Sequence, residues 1–273
     1  MDGSLSPVLD HVASIPVWRL GQGSLTLVVV HGGPGLDHRY MVDALRPLSA
    51  VCELVFYDQH HRSRNPEDQS IRSLTRDLEA LIEGLGASAN VGLLTHSWGA
   101  YLAYAALAEK GVADLRTLVL VSPVGLTKER FDESGDRLVS RLDESTLAKI
   151  GRQAEEGRDL DMMRTLFPYY LAQRSRSLAC PVGWYSNALN EALIGALSDY
   201  DFTSVGRRLP EATLVVYGDE DIELPSATRE VHDKARIEVL PSAGHFSFLE
   251  HPAEFCSLVR QFLSDGSILE ARA

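Results

Sequence analysis

The stretch LTHSWGA at residues 94–100 decides how this chain folds. It begins at the end of an apolar run, VGLL at 91–94, and leads into a stretch rich in small residues. A serine between a buried strand and a closely packed helix lies on a sharp turn that exposes its hydroxyl. The usual pattern for this turn is GxSxG, and Thr95 stands in place of its first glycine. We therefore predict Ser97 as a nucleophile on a strand-to-helix turn.

Apolar runs alternate with helical patterns along most of the chain. Besides 91–94, runs typical of buried strands lie at 25–30, 54–57, 118–121, 214–217 and 237–240. Residues 70–85 have apolar side chains at helical spacing behind Ser70, and another helix begins at Pro252. Buried strands that alternate with helices are typical of a parallel sheet covered on both faces. The predicted fold class is α/β, with a doubly wound, mostly parallel sheet.

The alternation breaks once, between 126 and 209. This stretch has no strand-like run; it is charged, compatible with helices and contains several aromatic residues. We predict that residues 1–125 and 210–273 form the α/β core and that 126–209 form an inserted helical cap. Ligands of such sheets bind beyond the carboxyl ends of the strands, so we expect the cap to lie over the binding site.

Charge and cysteine content exclude several classes of function. The 273 residues include 38 acidic and 26 basic side chains, and the formal net charge is −12. Such a chain repels nucleic-acid phosphates and anionic lipid surfaces. Its three cysteines fit neither a disulfide framework nor a metal site, and it has no signal peptide or membrane-span pattern. We expect a cytoplasmic protein that acts on a small molecule without nucleic acid, membrane or metal; the oligomeric state is left open.

A glycine-rich loop, HGGPG at 31–35, directly follows the run at 25–30. Acyl transfer needs backbone N–H groups aimed at the developing oxyanion, and a loop at this position supplies one of them. The residue after the nucleophile supplies the second. The candidates are therefore Gly33 and Trp98. The alternative is an ordinary strand-to-helix turn.

An acidic turn, GDED at 218–221, follows the run at 214–217. A carboxylate at the end of a strand can orient a histidine and stabilise its imidazolium form. We select Asp221 for this role, with Asp219 and Glu220 as rivals. The alternative is a solvated acidic turn with no catalytic part.

A histidine, His245, follows the run at 237–240 and precedes the last predicted helix. A histidine on such a loop can act as general base toward Ser97 and then as general acid toward the leaving group. The order Ser97, Asp221, His245 is the order expected of a hydrolase with a strand-to-helix nucleophile. A solvated, inert loop histidine is the alternative.

Five motifs together resemble the proline iminopeptidase-like branch of the α/β hydrolase superfamily. They are HGGPG at 31–35, Asp58-Gln59, HSWG at 96–99, GDED at 218–221 and GHFSFLEHP at 244–252. The resemblance implies the α/β hydrolase fold, with Ser97 as nucleophile, Asp221 as orienting acid and His245 as base. It also implies an oxyanion hole formed by the Gly33 and Trp98 amides and a cap that shapes the substrate pocket.

The chain departs from that branch at two places near the predicted site. The branch has GGSWG at the nucleophile, where this chain has Thr95 and His96, and it has glycines in the loop after Asp58-Gln59. Here that loop contains His60 and His61, which are candidate pocket residues or, alternatively, solvated loop residues.

The cap offers further candidates for substrate binding. Prolyl aminopeptidases of this resemblance hold the substrate ammonium with acidic cap residues, for which Glu155, Glu156 and Glu191 are candidates. Tyr169 and Trp184 are candidates for lining an apolar pocket. The alternatives are a solvated charged face and aromatic packing of the cap onto the core.

The sequence therefore predicts a serine hydrolase that cleaves an amide or ester of a small molecule through an acyl-enzyme, in the manner of a proline iminopeptidase. No cofactor is required, because the triad and the oxyanion hole supply the proton transfer and the electrostatics. One alternative is an esterase, lactonase or thioesterase of a specialised metabolic pathway. Another is a non-hydrolytic protein of the same fold.

Overall fold

The computed structural model describes residues 6–86, 90–109, 115–224, 235–265 and 268. Its centre is an eight-stranded sheet with the order β1-β2-β4-β3-β5-β6-β7-β8. The strands are β1 (Val8–Val12), β2 (Ile15–Leu20), β3 (Leu25–Val30), β4 (Glu53–Tyr57), β5 (Asn90–His96), β6 (Thr117–Val121), β7 (Thr213–Gly218) and β8 (Arg236–Leu240). From β4 to β8 in that order every neighbouring pair is parallel, whereas β1 and β2 join antiparallel. The predicted, mostly parallel α/β sheet is confirmed.

Nine helices flank the sheet within the described ranges. They are α1 (Arg39–Leu45), α2 (Ile71–Leu85), α3 (Trp98–Ala108), α4 (Lys128–Val139), α5 (Glu144–Glu155), α6 (Asp159–Tyr170), α7 (Asn187–Gly195), α8 (Ser247–Glu250) and α9 (Pro252–Asp265). Short 3-10 helices span Arg46–Ala50, Pro66–Asp68, Gln173–Ser175 and Thr203–Arg208. Apolar residues of α2 and α3 pack on one face of the sheet, and those of α1 and α9 pack on the other. The sheet is therefore covered on both faces, as a doubly wound fold requires.

The central strand β3 explains why apolar runs predict this sheet. Val28 and Val30 belong to the apolar cluster on one face, and Leu27 and Val29 belong to the cluster on the other. All residues of β3 are buried. Because successive side chains point to opposite faces, a strand covered on both sides needs apolar residues at every position.

The N-terminal hairpin of β1 and β2 has no counterpart among the predicted strands. In β1 only Val12 is buried, so the strand lacks the apolar pattern of a core strand. The turn between the strands is formed by Ala13 and Ser14, both with positive φ. Two-residue hairpin turns usually have Asn or Gly at such positions, so the turn signal is absent as well.

The predicted insertion contains α4 to α7 and no strand of the sheet. The chain leaves the sheet at the end of β6 and returns to it at β7. An isolated bridge between Leu36 and Tyr185 joins this region to the loop after β3. The boundaries at 126 and 209 stay a prediction.

Candidate active site

Ser97 lies on a sharp turn between β5 and α3. Its φ is 52° and its ψ is −119°, a conformation that costs free energy in a residue with a side chain. The amide of Ser97 donates to the carbonyl of Val121 at 3.0 Å, which holds the turn in place. A Cβ at Gly99 would collide with the carbonyl oxygen of Val30. Glycine at 99 therefore lets α3 begin directly against β3.

Thr95, the departure from the GxSxG pattern, is accommodated as a strand residue. It pairs with Val30 on one side and Leu120 on the other, and its side chain is buried. Its hydroxyl forms no hydrogen bond to the part of the chain that the structure describes. The turn itself begins only at Ser97, so a β-branched residue at 95 fits the extended backbone there.

The three predicted catalytic side chains meet at the carboxyl edge of the sheet. His245 Nε2 lies 2.9 Å from Ser97 Oγ, and His245 Nδ1 lies 2.8 Å from Asp221 Oδ1. The loops after β5, β7 and β8 supply one residue each. The carboxyl ends of parallel strands lie at the same edge of a sheet, which brings together residues distant in sequence.

Asp221, rather than either rival, contacts the histidine. Asp219 Oδ1 accepts a hydrogen bond from the Ala243 amide at 3.2 Å, and Glu220 Oε2 accepts one from the Gln173 amide at 2.9 Å. Burial by itself would raise the pKa of Asp221, but the charge of His245 and the hydrogen bonds that Asp221 accepts, from His245 and the Glu223 amide among others, together lower that pKa. Asp221 is therefore a buried carboxylate positioned to orient the imidazole.

The glycine-rich loop passes beside Ser97. Gly33 lines the same cavity as Ser97 and has a φ of 111°, which favours glycine. The start of the loop is held by His31, whose carbonyl accepts from Gln59 Nε2 at 2.6 Å and whose Nε2 accepts from the Gln59 amide at 3.1 Å. Trp98 is the first residue of α3, and the first amides of a helix have no intrahelical partner. Both amides are thus suited to the predicted oxyanion hole.

A second buried histidine, His96, connects the glycine-rich loop to the catalytic base. The Gly32 amide donates to Tyr40 Oη at 2.7 Å, and Tyr40 Oη lies 2.8 Å from His96 Nδ1. The Tyr40 proton is then donated to Nδ1, and His96 Nε2–H donates to the carbonyl of His245 at 3.0 Å. Burial lowers the pKa of His96 to about 3, so the ring is neutral, as this chain of bonds requires. Sequence reasoning missed this connection.

The cavity beside Ser97, called here the Ser97 cavity, has a volume of about 130 Å³. Apolar and polar groups share its wall. The apolar side chains include Leu36, Met163, Leu166 and Phe246, and the polar side chains include Tyr170 and Asn190. The cap residue Tyr170 also accepts a hydrogen bond from the His245 amide at 2.8 Å through its carbonyl. The cap therefore both closes the cavity and holds the loop of the base.

The predicted cap residues lie outside this cavity. Tyr169 directs its hydroxyl to Thr146 Oγ1 at 3.0 Å. Glu191 is exposed and accepts a hydrogen bond from Asn187 Nδ2 at 2.9 Å, and Glu155 and Glu156 are exposed at the end of α5. Tyr170, the neighbour of Tyr169, lines the cavity instead. The turn of α6 decides which of two adjacent tyrosines faces Ser97, and the sequence shows no such difference between them.

His60 is buried and His61 is half-buried, so the alternative of solvated loop residues does not describe His60; both line a second cavity, with Trp18 and Asp58, and their role as substrate-binding residues stays a prediction. The His60 ring stacks on Trp184 with centroids 4.3 Å apart, and burial lowers its pKa to about 4. His61 Nδ1 donates to the carbonyl of Asp58 at 3.2 Å, and its Nε2 lies 3.8 Å from Asp77 Oδ2. The contact between His60 and Trp184 packs the loop after β4 against the cap, and neither histidine lines the Ser97 cavity.

The described residues offer neither a metal centre nor a membrane-spanning helix. Within the described ranges no three histidine, cysteine or acidic side chains form a group able to hold a metal ion. Among the same residues no helix has the length and apolar character needed to cross a membrane. The cytoplasmic location stays a prediction.

Comparison with known proteins identifies the family. The sequence profile of the alpha/beta hydrolase family matches residues 27–258. The chain belongs to the alpha/beta hydrolase family. Membership confirms the predicted fold class and the prediction of a hydrolase enzyme.

Relatives of this chain include proline iminopeptidases. The proline iminopeptidase of Lactobacillus delbrueckii subsp. bulgaricus is 26% identical over 268 residues, covering 87% of this chain and 89% of the relative. The predicted resemblance to that branch of the alpha/beta hydrolase family is thereby confirmed.

Two solved structures have the same fold. The proline iminopeptidase of Mycobacterium smegmatis is 20% identical with a TM-score of 0.65, and covers 95% of this chain and 98% of its own. A thermophilic esterase from Thermogutta terrifontis is 21% identical with a TM-score of 0.68, and covers 96% and 99%. At such low identity these structures establish the shared fold alone.

Proposed function

We propose that this protein is a serine hydrolase that cleaves an amide or ester bond of a small molecule through an acyl-enzyme at Ser97. One observation carries the proposal: the hydrogen-bonded path from Ser97 Oγ to His245 Nε2, at 2.9 Å, and from His245 Nδ1 to Asp221 Oδ1, at 2.8 Å. A hydroxyl paired with a histidine that a carboxylate orients is the arrangement of an activated nucleophile.

Acylation gives each of these groups a defined role. Ser97 Oγ attacks the carbonyl carbon of the substrate while its proton moves to His245 Nε2. The carbonyl π electrons move to the oxygen, where the amides of Gly33 and Trp98 stabilise the negative charge. The tetrahedral intermediate then collapses: the bond to the leaving group breaks, and the leaving amine or alkoxide takes the proton from His245. Asp221 stabilises the imidazolium between these two transfers.

Deacylation repeats the sequence with water. His245 Nε2 takes a proton from the water molecule as its oxygen attacks the acyl carbon. Collapse of the second tetrahedral intermediate breaks the bond to Ser97 Oγ, which recovers its proton from His245. The product is a carboxylic acid, and no redox change occurs, so the reaction needs no cofactor.

The relatives support both amide and ester substrates. Curated relatives are named proline iminopeptidases, and one neighbour in structure is named an esterase. Both names describe cleavage at an acyl carbon, and the proposed steps are the same for either leaving group. The choice between them depends on the substrate pocket.

A mass-labelling experiment tests the proposal. The folded protein is incubated with a fluorophosphonate, and the peptide that contains Ser97 is examined for a mass increase, with Ser97→Ala as the control. We expect a single label on Ser97 that is lost in Ser97→Ala and strongly reduced in His245→Ala, because a fluorophosphonate loses fluoride to an activated serine hydroxyl. Folded protein that takes up no label would contradict nucleophilic catalysis and favour the non-hydrolytic alternative.

A further inference from the structure

The size of the Ser97 cavity restricts the group that it accepts. Its volume is about 130 Å³, whereas an apolar cavity of about 150 Å³ holds one benzene molecule. Leu36, Met163, Leu166 and Phe246 form apolar parts of its wall. The space therefore fits an apolar group of roughly six carbon atoms or fewer.

The charge of the cavity restricts it further. Among the described residues no aspartate or glutamate lines the cavity. Asp221 is paired with His245. Glu250 accepts hydrogen bonds from the amides of Ala172 and Gly244, at 2.9 and 2.8 Å. The first of these carboxylates is committed to the histidine and the second to the backbone.

The remaining buried carboxyl near the site is also unsuited to binding a cation. Glu223 accepts a hydrogen bond from Ser134 Oγ at 2.7 Å, and burial raises its pKa well above the usual value. Glu223 does not line the cavity, and its oxygen already accepts from Ser134. An ammonium in a cavity without a carboxylate partner loses its hydration and regains no ion pair.

Two polar groups of the cavity have no partner in the part of the chain that the structure describes. They are the side-chain amide of Asn190 and the hydroxyl of Tyr170, for which the described residues supply no hydrogen bond. Burial raises the pKa of Tyr170 to about 12, so it stays a hydrogen-bond donor. Both groups are uncharged. They suit a neutral carbonyl, ether or hydroxyl oxygen on the substrate.

We propose that the Ser97 cavity binds a short, uncharged acyl group, oriented by Asn190 and Tyr170, and discriminates against acyl groups that carry a free amine. The proposal rests on the proposed acyl-enzyme function and assigns its substrate class. Under this proposal the chain uses the catalytic steps given above, but it differs from a proline iminopeptidase in the acyl group that its pocket accepts.

A matched substrate pair tests the discrimination. L-proline p-nitroanilide and cyclopentanecarboxylic acid p-nitroanilide have the same ring size, but only the first carries a charged ring nitrogen. We expect kcat/KM to be at least about 100-fold higher for the neutral anilide. Equal or faster turnover of the prolyl anilide would overturn the proposal.

A series of p-nitrophenyl esters tests the size limit. We expect kcat/KM to be higher for the acetate and butyrate esters than for the octanoate ester. Leu166→Ala should enlarge the cavity and shift this preference toward octanoate.

Asn190→Asp tests the role of the cavity charge. It places a carboxylate of the same shape in the cavity, so we expect the ratio of neutral to prolyl kcat/KM to fall by about tenfold or more. Asn187→Asp adds the same charge on α7 outside the cavity and serves as the matched control, with an unchanged ratio. If Asn190→Asp left the ratio of neutral to prolyl kcat/KM unchanged, Asn190 would not face the acyl group and the proposed role of Asn190 would be wrong. Tyr170→Phe keeps the ring beside His245 and removes only the hydroxyl, so we expect it to lower kcat/KM more for tetrahydrofuran-2-carboxylic acid p-nitroanilide, which has a ring oxygen, than for the cyclopentane anilide, which has none; equal effects would contradict a role of this hydroxyl in orienting the acyl group.

A binding measurement separates this proposal from the catalytic one. Ser97→Ala is titrated with prolinamide and with cyclopentanecarboxamide by calorimetry, so that binding is measured without turnover. Tighter binding of the neutral amide by at least tenfold supports the proposal, and tighter binding of prolinamide contradicts it. Fluorophosphonate labelling of the unmodified protein tests the nucleophile independently. Labelling together with tighter binding of prolinamide would contradict only the pocket proposal, whereas absence of labelling would contradict the catalytic one.

Discussion

The hydroxyl of Tyr40 lies 2.8 Å from Nδ1 of His96, and this pair links two parts of the active site. The Tyr40 hydroxyl also accepts a hydrogen bond from the amide of Gly32, the residue before the proposed oxyanion donor Gly33. His96 in turn donates to the carbonyl of His245. The backbones of the oxyanion loop and of the base are therefore held by one continuous chain of hydrogen bonds through two side chains.

Tyr40→Phe breaks this chain at its centre. It leaves the buried Gly32 amide without an acceptor and His96 Nδ1 without a donor, so we expect the free energy of unfolding to fall by about 1–3 kcal/mol. We also expect kcat to fall while KM changes little, because the loops move relative to Ser97. Chemical denaturation and steady-state kinetics measure these effects. Tyr57→Phe is the matched control: the Tyr57 hydroxyl is buried without a partner among the described residues, so its removal should be neutral or stabilising.

Asp221→Asn should abolish most activity. The amide cannot stabilise the imidazolium and favours the wrong tautomer of His245, so we expect kcat to fall by about 10⁴-fold. The measurement is kcat on whichever anilide or ester the protein hydrolyses. Asp219→Asn keeps an acceptor for the Ala243 amide and should remain within a few-fold of the unmodified protein. Equal losses in the two variants would contradict the choice of Asp221.

Glu223→Gln should change how stability depends on pH. Because burial raises the pKa of Glu223 above its ordinary value of 4.5, the folded state holds this proton more tightly than the unfolded chain. The stabilisation is therefore complete below pH 4.5 and is lost as pH rises through the raised pKa. Across that window the unmodified protein should lose up to about 1.4 kcal/mol per pH unit relative to Glu223→Gln. Paired urea denaturation curves between pH 5 and pH 9 measure the difference, and parallel curves would contradict it.

Two glycine-to-alanine substitutions should have opposite effects on stability. At Gly99 a Cβ would collide with the carbonyl of Val30, so Gly99→Ala should lower the free energy of unfolding by several kcal/mol and separate α3 from β3. At Gly135, inside α4, no other atom lies within 4 Å of the added Cβ. Gly135→Ala should raise the free energy of unfolding by about 0.5–1 kcal/mol. Thermal denaturation of the two variants tests both signs.

The strands that position the site can be predicted from the sequence because each is a run of consecutive residues that are almost all apolar. In β3 every residue is buried and all but Thr26 are apolar, and the same holds in large part for β5 to β7. The start of helix α2 can be predicted as well. The Ser70 hydroxyl accepts a hydrogen bond from the Ser73 amide, and the Ser73 hydroxyl accepts one from the Ser70 amide, at the position where the apolar spacing predicts the helix to begin. The hairpin of β1 and β2 was not readable, because β1 lies at the edge with exposed side chains and its turn contains neither Asn nor Gly.

The same contrast holds for the site. Ser97, Asp221 and His245 can be selected from sequence because each directly follows a buried strand, and parallel strands end at one edge. The tyrosine that lines the cavity could not be selected, since Tyr169 and Tyr170 are adjacent and differ only in which way the last turn of α6 points them. The solvated alternative for His60 was wrong because Trp184, which covers it, is more than a hundred residues away in the chain.

The buried core strands, the residues at their ends and therefore the candidate triad follow from the amino-acid sequence, because apolar periodicity and strand-end position are properties of consecutive residues. The hydrogen-bonded connection from Gly32 through Tyr40 and His96, and the small uncharged cavity beside Ser97, follow only from the tertiary structure. Hydrogen-bond direction, pKa shifts and cavity volume depend on distances between segments that the chain brings together only when it folds.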